Sequence, residues 1–217
     1  NGLPLIAVAV TMQHDPQAIM GHKNSPIRDF KDLEGHTISA QTGATWLRYV
    51  ISRCGLHNVR QVPSTLSIVS LLADPSYVQQ IFVTSEPFFA KQAGAEVFTL
   101  LISSSGFDPH CVQLTTRDFA AQHPHVVAKF VRASIRGWQE YLCNPGPADA
   151  PLLQLKPALN PQQEASAAQA LRDGGSVSGA AAAPDHTGQM NASRWQTSCG
   201  RLKSLGILCA PVDGASA

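Results

Sequence analysis

The chain has 217 residues, enough for one large domain or two small ones with a substantial core. Charged residues make up 14% of it, against roughly 25% in an average soluble domain, and the net charge is +1 with no Lys/Arg run, so nothing favours nucleic acid or an anionic membrane surface. The longest apolar run, Leu3 to Val10, is far too short to span a bilayer and suits a buried strand.

From that strand, Thr11 to Pro16 leads to a second apolar segment, Ala18-Ile-Met20, and a polar connection from His22 to Arg28. Phe30-Lys-Asp-Leu33 precedes the most informative stretch, which reads as strand (Thr37 to Ala40), turn (Thr42-Gly43-Ala44-Thr45) and helix, with Thr45 as its expected cap. Leu47, Val50, Ile51 and Cys54 fall at i, i+3, i+4 and i+7 on one apolar stripe, and Gly55 sits where a left-handed stop belongs. Trp46 and Tyr49 lie off the stripe. Val59 to Val62 reads as a strand, Ser67 to Ala73 as a short helix and Tyr77 to Thr84 as a buried strand. Ser85 is the expected cap of the next helix, with Pro87 at its first position and Gly94 at its end. Ala95 to Ile102 is again strand-like. Strands alternating with short helices predict an α/β layer built on crossover units with helices on both faces.

Cys111 to Thr116 predicts one more strand, and Thr115-Thr-Arg-Asp118 starts a helix with capping-box chemistry. Past Pro124 a long helix carries Val127, Phe130, Val131, Ser134, Trp138 and Tyr141 at helical spacing, until Asn144-Pro-Gly-Pro147 stops it. Asn160-Pro161 opens a helix ending near Gly174, Gly175 to Gly188 is a Gly/Ala/Ser-rich loop, and Asn191 caps a last helix bearing Trp195, Cys199, Leu202 and Leu205. The final third is thus mostly helical, with a frayed end from Val212.

The five cysteines, Cys54, Cys111, Cys143, Cys199 and Cys209, have no zinc-site or disulfide-framework spacing. Gly175-Ser-Val-Ser-Gly179 has its serines misplaced for a nucleophile elbow, and Pro124 keeps His123 and His125 off a shared helical face. Two places remain. The Gly43-Ala-Thr-Trp46 turn points helix N-terminal amides and an aromatic face outward, although Trp46 packing on the neighbouring layer reads equally well. Glu86 stands where a buried strand meets a helix, the edge at which α/β folds dock ligands, although a carboxylate there also complements the helix dipole.

Several phrases in order, Phe30-Lys-Asp-Leu-Glu-Gly-His-Thr-Ile-Ser39, Ser85-Glu-Pro-Phe-Phe-Ala-Lys-Gln-Ala-Gly94, His123 to Trp138 and Asn144-Pro145, resemble the NMT1/THI5-like solute-binding proteins of ABC importers. The resemblance implies a two-lobed α/β fold of the periplasmic-binding-protein type II kind. Residues 1–29 and 104–217 would form lobe one, lacking its N-terminal elements and leaving a sheet edge uncovered, and 30–103 lobe two. It implies ligand contacts at Gly43, Ala44, Thr45, Trp46 and Glu86, with Gln13 and Phe107 near the crossings, and hinge motion near Ile27 and Ser104. The implied partners are a small polar or aromatic solute (a thiamine pyrimidine precursor, a sulfonate or nitrate-like ion, or a related heterocycle) and an ABC permease. No cofactor, metal, catalytic residue or nucleic acid is implied. The location would be periplasmic, with the membrane met only through the permease or an N-terminal lipid anchor. Two alternatives share the fold: a pyrimidine-forming enzyme, whose CCCFC segment is replaced here by the cysteine-free Gln80-Ile-Phe-Val-Thr-Ser85, and the effector-binding domain of a transcription regulator.

Overall fold

A computed structural model describes residues 3–65, 67–179 and 185–208. In chain order the elements are β1 (Leu5–Met12), β2 (Gln17–His22), a 3₁₀ turn at Phe30–Leu33, β3 (Thr37–Ala40), α1 (Thr45–Cys54), β4 (Arg60–Pro63), α2 (Val69–Ala73), β5 (Val78–Phe82), α3 (Glu86–Gln92) and β6 (Val97–Leu101). After a second 3₁₀ turn at Ile102–Ser105 come β7 (Cys111–Thr116), α4 (Arg117–Gln122), α5 (Pro124–Cys143), α6 (Gly146–Leu155), α7 (Pro161–Asp173) and α8 (Ala192–Ser204). Two compact units result. Unit one takes Asn1–Asp15, Pro109–Gly200 and Leu208–Ala217, and unit two takes Pro16–Asp108 and Arg201–Ile207.

Unit two holds a five-stranded sheet in the order β4-β3-β5-β2-β6. β3 is parallel to both β4 and β5, whereas β2 is antiparallel to β5 and β6. The expected crossover layer therefore carries one reversed strand near its middle. β2 buries both faces, because alternate side chains leave a strand in opposite directions. Ile19 joins a core cluster with Ile27, Phe30, Leu33, Ile38, Leu47 and Val50, and Ala18 and Met20 join a second with Leu71, Ile81 and Ala90. Helices consequently cover both faces: α1 and the Phe30–Leu33 turn pack in the first cluster, α2 and α3 in the second. The expected boundaries at 29/30 and 103/104 shift to 15/16 and 108/109, because β2 is hydrogen-bonded inside this sheet and Phe107 packs against the first cluster.

Unit one is built differently. β1 and β7 form a two-stranded antiparallel sheet, irregular between Ala7 and Ala9 and between Val10 and Met12. Among the described residues there, the buried apolar ones are few: Ala9, Val10, Ala167, Ala168, Leu171 and Val177. The stripe on α5 is half-covered at Val127, Val131, Trp138 and Tyr141, while Phe130 is 60% exposed and Leu114 on β7 56%. Gly188 holds a close approach at φ 82°, since a Cβ there would lie 2.4 Å from Ile135.

Local signals hold in part. Gly55 adopts the left-handed conformation after α1, and the Asn160 carboxamide accepts from the Gln162 and Gln163 amides at 2.9 and 3.4 Å, as an N-cap does. Asn191 likewise caps α8, accepting from Ser193 N at 2.9 Å. Thr45 is not a cap: Ala44 occupies that position and Thr45 is the first helical residue. Ser85 precedes α3 without a side-chain bond, and Pro87 is its second residue. Thr116 caps α4 by accepting from Phe119 N, but that residue is aromatic and cannot return a capping-box bond. The Asn144 to Pro147 stop ends α5 and immediately begins α6, with Pro147 in the first turn where its missing N–H costs nothing. Residues 180–184 of the Gly/Ala/Ser-rich loop, Cys209 and the stretch from Val212 lie outside the described residues.

Candidate functional site

In unit two, the topology brings the expected contact residues to one edge of the sheet. β3, β4 and β5 run parallel, and β6 shares their direction because both β5 and β6 are antiparallel to β2. All four strands end at the edge where β2 begins at Gln17. In an α/β sheet, strand C-termini and the helix starts that follow them form the customary docking edge.

The turn after β3 is closed by the Ala44 amide donating to the Gln41 carbonyl at 3.0 Å, with Gly43 at φ 75°, a conformation a side chain would strain. Beneath it lies a cluster of amides. Gln80, on β5, accepts at Oε1 from the Trp46 indole N–H at 3.1 Å and from the Gln41 backbone amide at 3.0 Å. Its Nε2 donates to Gln17 Oε1. The Gln61 carboxamide donates to the Gln41 carbonyl at 2.7 Å, tying β4 to the same turn. These glutamines carry no sequence motif. The one available signal was Gln79-Gln80 inside an otherwise apolar strand.

Of the two readings open for Trp46, the structure takes the packed one. Its ring is 4% exposed and belongs to the first core cluster, so it packs under the turn instead of presenting a face to solvent. Glu86 is buried as well. Its carboxylate accepts from the Phe82 amide at 3.0 Å, fastening the end of β5 to the first turn of α3. Gly43, Ala44 and Thr45 remain at the rim, half-covered or exposed. Phe107 is half-buried, its ring 5.5 Å from that of Tyr49, after Gly106 at φ 90°. It stands with α1 in unit two.

Gln13 belongs to unit one. Its side chain is buried and donates to the His186 and Gln189 carbonyls at 2.6 and 2.8 Å, and Arg194 donates to its side-chain oxygen at 3.4 Å and to its carbonyl. It forms one wall of a pocket of about 260 Å³ that His14, His186, Gln189, Asn191 and Arg194 also line. A segment more than 170 residues away thus completes the surroundings of Gln13, which no local pattern could reveal. Near this pocket the Asp185 carboxyl is held below the usual carboxylate range, first by the Thr187 hydroxyl and then by the Thr187 amide.

The profile of the NMT1/THI5-like family matches residues 1–148. Among curated proteins, the riboflavin-binding protein RibY of Chloroflexus aurantiacus is 26% identical over 223 residues, covering 98% of this chain and 63% of RibY. The chain thus spans less than two thirds of that relative. Among solved structures, the periplasmic aliphatic sulphonate binding protein SsuA from Escherichia coli matches with a TM-score of 0.73 at 15% identity, over 99% of this chain and 73% of SsuA. The alkanesulfonate-binding protein SsuA from Xanthomonas axonopodis pv. citri, bound to MOPS, matches with a TM-score of 0.68 at 15% identity over the same shares. The chain has the α/β fold of these periplasmic binding proteins.

Proposed function

Since the chain belongs to the NMT1/THI5-like family, we propose that it is the solute-capturing part of an ABC-importer receptor, working outside the cytoplasm and handing its ligand unchanged to a permease. The solute is a small polar or aromatic molecule. Riboflavin, in the name of RibY, and an alkanesulfonate, in that of SsuA, mark the range. One observation carries the reading: four strands of unit two end at a single edge, where the Gly43-Ala44-Thr45 rim lies over a buried amide cluster.

In this reading, Gly43, Ala44 and Thr45 offer backbone groups to the solute at close range. Trp46 and Glu86 hold the rim from beneath, and a direct stack on Trp46 would require the first turn of α1 to move. Gln13 and Phe107 are further contacts proposed from the family resemblance. Capture needs differential affinity for the loaded state and no bond making, so the ligand must return intact.

The test is native mass spectrometry of protein purified without denaturation, followed by calorimetry with riboflavin and with MOPS. A retained or added mass equal to the unmodified solute, in 1:1 ratio, is the expected result. Conversion of the solute, or no binding by protein that melts cooperatively, overturns the receptor assignment.

A further inference from the structure

We infer that Gln80 is a positioning residue, a buried clamp that holds the Gln41–Ala44 turn, the Trp46 indole and the start of β2 in one fixed arrangement at the sheet edge. The inference rests on the edge of unit two being the solute site, and it assigns the stiffness of that site to a side chain that no solute need touch.

Gln80 is 5% exposed and sits between Val78 and Ile81, both core residues. An amide buried at such a position is costly unless its hydrogen-bonding capacity is used. Two N–H groups converge on Oε1, from the indole and from the Gln41 backbone. Only an oxygen can accept from both, so the carboxamide has one orientation, and its NH₂ is turned to Gln17 Oε1. The three partners lie at the exit of β3, in the first turn of α1 and at the entry of β2, which are the elements flanking the edge.

The turn has no side-chain cap of its own. Ala44 occupies the N-cap position and has no side-chain acceptor for the helix amides, and Gly43 lends the backbone freedom. From outside the turn, Gln61 holds the Gln41 carbonyl and Gln80 the Gln41 amide, so the residue leaving β3 is gripped on both sides. The acceptor half of Gln80 carries the clamp on turn and indole, and the donor half adds the link to β2.

The experiment compares Gln80→Met, which keeps the length and removes every bond, with Gln80→Glu, which keeps an oxygen where both N–H groups point. Val78→Ala serves as the control, since it removes volume from the same strand without touching these bonds. Readouts are the Trp46 indole N–H signal in the NMR spectrum, assigned through Trp46→Phe, hydrogen exchange at the Gln41 amide, and affinity for riboflavin or MOPS. In folded Gln80→Met the indole signal shifts and Gln41 exchange speeds by about tenfold or more, affinity falls by about tenfold, and Gln80→Glu restores all three to within about threefold. Three results overturn the inference: an unmoved indole signal and unchanged Gln41 exchange in Gln80→Met, the same changes in Val78→Ala, or unchanged affinity despite a moved signal. If the wild-type protein binds neither probe, the receptor reading fails with them, and so does the site role of Gln80. The indole and Gln41 readouts then report the clamp as structural alone.

Discussion

Unit two and unit one spend similar kinds of sequence on opposite outcomes. In unit two, a five-stranded sheet with helices on both faces places Ile19, Ile38, Leu47 and Ile81 wholly out of water. In unit one, the two-stranded sheet, α4 and α5 leave Leu114, Phe119, Val126 and Phe130 at the surface. The difference follows from strand number. A two-stranded ribbon offers little area against which helices can pack, whereas a central strand such as β2 is covered above, below and on both edges. Amphipathic pattern alone does not bury a residue; a partner layer must be present.

The strongest way to break this contrast is a cavity in unit two. Leu47→Ala, 1% exposed in the wild type, should lower the unfolding free energy by about 2–5 kcal/mol in urea melts, and a loss under about 1 kcal/mol would mean that the cluster around it is not the stabilising core. Next comes the start of α7 in unit one, which Asn160 caps. Asn160→Ala removes two cap bonds from α7 and should cost about 1 kcal/mol, read by thermal melting and by faster exchange of the Gln162 and Gln163 amides.

A smaller effect on stability but a larger one on association is expected at the exposed apolar residues of unit one. The paired change Leu114→Lys and Phe130→Lys should move stability by within about 0.5 kcal/mol per site. It should also reduce self-association of the 217-residue chain in sedimentation velocity. A wild-type chain that is already monodisperse at high concentration would show that these exposed side chains are harmless.

The smallest expected effect concerns pH. The Asp32 carboxylate accepts from the Arg28 and Asp29 amides, both at 2.9 Å, and the Arg28 bond is the main reason its pKa lies below the ordinary 3.8. A folded value below the unfolded one gives a contribution that is complete above the ordinary value and is lost as pH falls through the folded value. Asp32→Asn should therefore flatten the acid side of the stability curve of unit two while leaving the neutral region nearly level. Carboxyl NMR titration checks the depressed value directly.

Much of this architecture could be read from local pattern, and what could not shares one cause. The stripe Leu47–Val50 gave α1 and its buried side, and Asn160 and Asn191 marked helix starts. Trp46 lay off the stripe and was open to either assignment, because the core it packs in and the acceptor of its indole N–H, Gln80, come from other elements, Gln80 34 residues away on another strand. The direction of β2 was equally hidden: Ala18-Ile-Met20 is apolar on both faces whichever way the strand runs. Gly43 to Thr45 was legible as a turn, whereas the amides beneath it come from three separate strands and from the turn itself.

One feature of the sheet has an evolutionary corollary. Both core clusters draw every member from the unbroken run between Pro16 and Asp108, and that run begins and ends side by side, Ala18 pairing with Leu101. A segment whose ends meet can be spliced into a loop of a host without pulling the host apart. The continuous part of unit two, Pro16–Asp108, thus has the construction of a cassette that carries its rim with it, and Arg201–Ile207 is the one stretch of the unit that lies outside it.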